Sequence, residues 1–476
     1  MPVLLVGGGL FAVLMAFATR YGYHRDELYF RMLGEDVALG YFDTPPLTPM
    51  IAKLSIALFG DSVVALRVVP ALAVAITVVL LALACRELGG SRGAQVLTAF
   101  GVACSSVALI AGHMLLTLTP DLMLWSATIL FVLKALRDPR WWLAAGVTIG
   151  VATYNRQLIA LLVIGIAVGI LVVGPRSVLR SVWLWVGALV ALVLAAPNLY
   201  YQYTHDWPQA QMAEALELDD GADNRIMFVP LQFGLLGPPL AVIMIVGLVW
   251  LWRQRRYRFL VIAYPVTCAI TLYTGGRADY VAGLLLLLFA AGCIPTATWM
   301  TTVWRRSVVV LAVVLSAAVA VPLGLPVLPY SLLDDVPVGD LNETAYESIG
   351  WHRFAEQIAA ANTSLSPADR VHTIVLAENY GQAGAVDRWS AELALPPVYS
   401  GHNELWWRGA PEAHVNVVIL ATYSRRVGTD FATCTEHGRV DDGVGQWNEE
   451  QGKPILICRE PTKSWQALWP ELRHYS

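Results

Sequence analysis

The sequence predicts a polytopic α-helical membrane protein, a bundle of about eleven transmembrane helices followed by an extracytoplasmic α/β domain. Three observations lead there. Hydrophobic residues make up 57% of the 476 positions and charged residues only 14%, with mean hydropathy +0.56; a soluble domain would carry roughly 25% charge. Apolar stretches near the ~20 residues needed to cross the hydrocarbon core recur up to residue 329. From residue 340 onward they stop, and short strand-like runs alternate with helical ones.

In chain order the expected spans are 3–19, 63–84, 94–112, 121–136, 141–154, 157–174, 182–200, 231–252, 259–274, 281–299 and 307–329. The first lacks a basic n-region and a cleavage motif, so it is expected to stay uncleaved. Residues 1–330 then form the transmembrane part, interrupted by an acidic outer-face loop, 20–62. The net charge of −4 decides nothing as a total, because the charges are sorted along the chain. One set of loops holds Arg86, Arg92, Lys134, Arg137, Arg140, Arg176, Arg180, Arg253, Arg255, Arg256, Arg258, Arg305 and Arg306, thirteen basic residues against Glu87 and Asp138. The alternate set holds Asp206, Glu214, Glu217, Asp219, Asp220 and Asp223. Basic residues near span ends stay cytoplasmic, which puts the N-terminus inside and both the acidic loop and the C-terminal domain outside.

That domain, 340–476, reads as three layers around a parallel sheet. Tyr346 to Ala361 is helical in period, and 371–377, 415–421 and 454–458 read as buried strands. A helix is expected over Asn379 to Glu392, and the turn-rich segment PPVYSGHNELWW reads as a loop. Of six cysteines, four lie in spans. Cys434 and Cys458 form the remaining pair, in a compartment that permits a disulfide.

The chemistry concentrates behind the first span, in HRDELYFRMLGEDVALGYFDTPPLTPMIAK. Acids at a bilayer surface mark sites that handle a proton, a metal or a polar substrate. Asp26 and Glu27 also suit the cap of the helix that follows, and Pro45 and Pro46 suit a rigid loop or a plain turn. Asp121 in LLTLTPDLML reads both as a functional acid and as part of a helix start, with Thr119 as cap and Pro120 at the first helical position. His113 precedes that turn. Outside basic residues are few: Arg67, Arg156 in TYNRQ, Arg225 in DNRIMF, and Arg277 with Tyr280 in GGRADY. An arginine fork binds phosphate oxygens bidentately, and such residues also serve as interface anchors.

Asp-Glu-Leu-Tyr followed by an acid two residues before Pro-Pro-Leu resembles the first outer loop of the GT-C glycosyltransferases of family 39, which include the protein O-mannosyltransferases and the lipid A aminoarabinose transferases. The resemblance is most specific over 24–50 and weaker at 113–125 and 275–283, and the C-terminal segments resemble the outside domain of bacterial members. It implies Asp26 as the catalytic base, Glu27 as a structural partner, and Asp121 as the second functional acid. It also implies a divalent metal at Asp43 near the donor phosphate, although this chain carries Asp-Thr-Pro-Pro where the aminoarabinose transferases carry Glu-Lys-Pro-Pro. Arg156, Arg277 and Tyr280 stand where the family meets the lipid phosphate; Arg225 and Arg67 are weaker candidates. No nucleotide-binding loop, dinucleotide fingerprint or zinc motif occurs, and the inside loops are too short for a nucleotide-sugar domain. The expected function is therefore transfer of a sugar from a polyprenyl-phosphate donor to a lipid, glycan or protein acceptor on the outer face, with no nucleic-acid partner. A lipid-linked sugar transporter or flippase, or an inactive carrier-binding relative, are the alternatives.

Overall fold

A computed structural model describes residues 1–333, 342–422 and 429–475. The helices run α1 (Pro2–Ala16), α2 (Arg25–Glu35), α3 (Leu47–Phe59), α4 (Val63–Glu87), α5 (Arg92–Ala103), α6 (Ser106–His113), α7 (Leu118–Ala135), α8 (Trp141–Ala152) and α9 (Ile159–Val173). They continue with α10 (Val182–Thr204), α11 (Pro208–Leu236), α12 (Pro238–Arg253), α13 (Arg258–Tyr273), α14 (Ala282–Trp299) and α15 (Val303–Gly324). Each of the eleven expected spans falls on an apolar helix or helix pair. By length and composition five helical segments among the described residues can each cross a bilayer: α4, α7, α10, Ala278–Trp299 and α15. The bent pairs α5–α6 and α11–α12 raise that number to seven. Helices α1, α8, α9 and α13 are apolar but only 12–16 residues long.

Two expected spans are not single rods. Segment 94–112 bends by 60° between α5 and α6, where the Ser105 hydroxyl donates to the Val102 carbonyl and accepts the Ala108 amide, ending one helix and capping the next. Segment 231–252 is divided by a 96° bend. Gly237 takes φ +90 there, a conformation that favours glycine, and Pro238 starts α12 at a position that needs no amide donor. The outward faces stay apolar. On α10, Trp185, Leu189, Leu192 and Val193 are exposed, and on α15 so are Val310, Leu311, Val314 and Leu315. α14 is the axis of the bundle: every residue from Ala282 to Cys293 is buried.

The C-terminal domain has helices α16 (Trp351–Ser364) and α17 (Tyr380–Leu393). Its strands are β1 (Thr373–Ala377), β2 (Val398–Ser400), β3 (Val417–Ala421), β4 (Phe431–Arg439) and β5 (Pro454–Pro461), in sheet order β2-β1-β3-β5-β4. The expected all-parallel sheet is corrected to a mixed one. β1 pairs in parallel with β2 and β3, while β5 runs antiparallel to β3 and β4. β4 was hidden in the sequence because it is an edge strand whose residues, such as Glu436 and His437, face solvent. Cys434 and Cys458 sit opposite each other on β4 and β5 and are disulfide-bonded. The expected helix over 346–361 is broken. Gly350 at φ +90 separates a 3-10 turn over Glu343–Ser348 from α16.

Alternation along the strands sends Val375, Val417, Ile419 and Ile457 to one face and Ile374, Val418, Leu420 and Cys458 to the other. The second face is covered by Trp465, Leu468 and Trp469. On the first, the core also includes Tyr23, Leu28, Tyr29, Met32 and Leu33. The acidic loop therefore shares a hydrophobic core with the domain at the other end of the chain.

Candidate active site

The site starts at the cap of α2. His24 Nδ1 accepts the Asp26 amide at 3.1 Å, and Glu27 accepts the His24 amide at 2.9 Å, a reciprocal cap that fixes the entry of the chain. Asp26 Oδ1 accepts the Tyr380 hydroxyl at 2.9 Å. The Tyr380 ring stacks on Tyr29, centroids 4.7 Å apart, and the Tyr29 hydroxyl donates to Asp43 Oδ1 at 2.8 Å. Two stacked phenols thus join two carboxylates. Burial pushes the Asp43 carboxyl up to about 6, with the Asp26 charge adding to the rise and the Tyr29 hydroxyl opposing it. Glu404, in the turn Asn403–Arg408, accepts the Phe42 amide at 2.6 Å. Burial, reinforced by the Asp43 charge, lifts its carboxyl to about 7.

Beside Asp26, Glu347 pairs with His24 Nε2 at 2.8 Å and Arg25 Nη2 at 2.7 Å. Burial alone would raise Glu347, but His24, Arg25 and the Arg277 charge hold it down at about 2. Burial would likewise lower His24; the Glu347 hydrogen bond and the Asp26 and Glu27 charges hold it above its ordinary value instead.

The positive half of the site stands at helix ends. Asp279 Oδ1 accepts Arg277 Nε at 3.1 Å, and its Oδ2 lies 3.5 Å from Arg156 Nη1. Arg156 lies over the Tyr280 ring at 5.3 Å. Asp121 is 3% exposed, faces the Arg156 and Asp279 charges, and its Oδ1 has no hydrogen-bond partner in the described structure. Arg277 is 65% exposed, the most open cation of the group.

The candidates thus divide. Asp26 and Asp43 are joined through Tyr380 and Tyr29, while Arg277 and Arg156 meet on Asp279, with Tyr280 under Arg156 and the Asp121 charge facing them. Between the two groups stands Glu347, paired with His24 and Arg25 and within the field of Arg277. Arg67 joins neither group. It is 1% exposed and forms a bidentate pair with Glu27, at 2.9 and 2.7 Å. The rest of its fork donates to the Ala18 and Gly22 carbonyls and to His113 Nε2, which leaves it no free edge for a phosphate. Glu27 also accepts the Leu115 amide at 3.1 Å, so the pair ties α2 to α4 and to the turn before α7. Arg225 pairs with Glu217 and donates to the Leu272 carbonyl at 3.1 Å, bracing the end of α13 rather than facing the acids. Tyr380, Glu404, Glu347 and Asp279 were not singled out from the sequence. Asp279 lies inside the quoted GGRADY; the other three come from segments whose closeness to α2 only the fold creates.

A divalent ion at Asp43 would have few protein ligands. The Asp43 Oδ1 is held by a phenol, and no group of three His, Cys, Asp or Glu side chains able to hold a metal gathers among the described residues. Two clefts of about 480 and 340 Å³ open on the C-terminal domain without touching Asp26 or Asp43. The acidic cluster is a seam between bundle and domain, not either cleft.

Fold and seam define a polytopic membrane protein with the fold of the GT-C glycosyltransferases. The structure is similar over 95% of its length to the ArnT of Cupriavidus metallidurans solved with bound undecaprenyl phosphate, which is covered to 97%, with TM-score 0.61 and 14% identity. The family model for dolichyl-phosphate-mannose-protein mannosyltransferases matches residues 43–201. Among curated proteins, the lipid A galacturonosyltransferase RgtD of Rhizobium johnstonii is 27% identical over 313 residues, 63% of this chain and 64% of the relative. The undecaprenyl phosphate-alpha-4-amino-4-deoxy-L-arabinose arabinosyl transferase 1 of Pseudomonas fluorescens is 26% identical over 290 residues, 54% of this chain and 51% of the relative. The matches thus span about half to two thirds of these relatives' lengths.

Proposed function

We propose that this chain is a membrane glycosyltransferase that moves a sugar from a polyprenyl-phosphate carrier to a hydroxyl on a lipid, glycan or protein acceptor at the outer face. The observation that carries the reading is the seam itself, where the carboxylate Asp26 stands beside Glu347, whose charge also feels the exposed Arg277. Transfer needs both Asp26 and Arg277. Asp26 takes the proton of the attacking hydroxyl as its oxygen bonds to the anomeric carbon. The bond from that carbon to the phosphate oxygen breaks, and the polyprenyl phosphate leaves with the electron pair. Arg277 and Arg156 meet its negative charge through charge-assisted hydrogen bonds. The likeness to a structure solved with bound undecaprenyl phosphate, and the names of the two curated transferases, support this reading. The thirteen-to-two charge bias of the loops supports an inside N-terminus and an outside C-terminal domain.

Mass spectrometry of lipid co-purified with the full-length protein should find a polyprenyl-phosphate species. Asp26→Asn should retain that lipid while turnover falls roughly 10²–10⁴-fold, the usual size of a general-base contribution. Transfer at the wild-type rate by Asp26→Asn removes Asp26 from the mechanism. Carrier-lipid movement across vesicles with no transfer by wild type would favour the transporter reading instead.

A further inference from the structure

Tyr380 belongs to the C-terminal domain, yet its hydroxyl ends on the carboxylate to which the proposed function assigns the chemistry. Its position is fixed from every side. It opens α17 directly after β1, and Asn379 caps that helix by accepting the Gln382 amide at 2.9 Å. The Tyr380 amide donates to His402 Nδ1 at 3.1 Å, and the His402 ring stacks on the phenol at 5.1 Å. Tyr29 covers the ring at 4.7 Å, and the Arg25 guanidinium lies 5.5 Å from its centroid. Two glycines bring the helix close enough. A Cβ on Gly381 would meet Arg25 Cβ at 2.9 Å, and one on Gly384 would meet Leu28 Cβ at 2.8 Å and its carbonyl carbon at 2.9 Å. Along the same contact Arg31 pairs with Asp387 at 2.5 Å, and Arg388 reaches the Tyr23 hydroxyl at 3.2 Å. Burial and the Asp26 charge keep the phenol well above its ordinary pKa, so it stays a donor.

We infer that Tyr380 is a positioning residue for Asp26, so that the C-terminal domain completes the active site. Its hydroxyl takes Oδ1 and leaves the other oxygen to receive the acceptor's proton. This rests on the reading of Asp26 as the base. A carboxylate oxygen freed to rotate loses its alignment with the attacking hydroxyl, and misplacement of that order costs rate rather than donor binding.

The test uses full-length protein, with lipid extracted from wild-type membranes as donor source and release of undecaprenyl phosphate as the readout. Tyr380→Phe keeps the ring and removes only the hydroxyl. Its thermal midpoint, its affinity for undecaprenyl phosphate and its apparent KM for the extract should match wild type, while kcat falls about 10-fold. Because Tyr380 acts only through Asp26, the double variant Asp26→Asn with Tyr380→Phe should be no slower than Asp26→Asn alone. A wild-type kcat for Tyr380→Phe, or losses that multiply in the double variant, overturns the inference. If Asp26→Asn itself turns over normally, the reading of the base fails instead, and the two failures are told apart.

Discussion

Asp43 and Glu404 arrive from distant parts of the chain and meet as two carboxylates that burial lifts to about 6 and about 7. A carboxyl raised on folding binds a proton that the unfolded chain has released, so its effect on stability turns unfavourable as pH rises through the folded value. His24, held above its ordinary value, works in the same direction: its contribution is complete below its unfolded pKa and is lost as pH rises through the folded one. Glu347, held at about 2, contributes across the whole neutral range and is lost only in strong acid. The thermal midpoint should therefore fall between pH 5.5 and pH 8, and Glu404→Gln should flatten that slope; a midpoint that rises over this range contradicts the assignment. At this scale the sequence was only half legible. Asp26, Asp43 and Asp121 lie in or near short patterns, but Tyr380 is 354 positions from Asp26 and Glu404 is 362 from Phe42. No local periodicity marks a residue whose partner is that remote.

The contact between α2 and α17 has a sign that can be measured. Glycine inside a helix ordinarily costs about 1 kcal/mol against alanine, so Gly→Ala should stabilise wherever there is room. A Cβ added to Gly8 on α1 would meet nothing within 4 Å, so Gly8→Ala should gain. A Cβ added to Gly384 would meet the backbone of Leu28 at 2.9 Å, so Gly384→Ala should lose roughly 1–3 kcal/mol through overpacking. Thermal midpoints of the two variants decide it, and equal shifts would mean that the two helices part freely. The elements themselves were largely readable. Apolar length located the helices under the eleven expected spans, and continuous Val, Ile and Leu runs located β1, β3 and β5, while α3 and most of α11 lie in segments expected to be loops. What failed was what apolar content does not encode: the bends at Ser105 and Gly237, the three-residue β2, and the solvent-facing β4 that makes the sheet mixed.

For the whole molecule, the loop charges predict which surfaces an impermeant thiol reagent reaches in intact cells. Single cysteines at the exposed positions Asp220 and Glu412 should label, and one at Arg255 should not. Labelling at Arg255 would invert the orientation and end the outer-face reading. The short helices have a consequence of their own. At 1.5 Å per residue, α8, α9 and α13, with 12, 15 and 16 residues, reach only about 18–24 Å, against about 30 Å of hydrocarbon. Arg156 lies between α8 and α9, and Arg277 follows α13, so both cations stand at the ends of rods too short to span the hydrocarbon. On the eleven-span reading the bilayer must thin along this flank to avoid hydrophobic mismatch, which draws lipid headgroups down into a dimple at the arginines. Reconstitution into bilayers of progressively longer acyl chains should then weaken undecaprenyl phosphate binding, while a flat response would place the arginines at ordinary headgroup depth. In such an arrangement membrane thickness is itself a determinant of affinity, setting the depth at which a phosphate finds its cations.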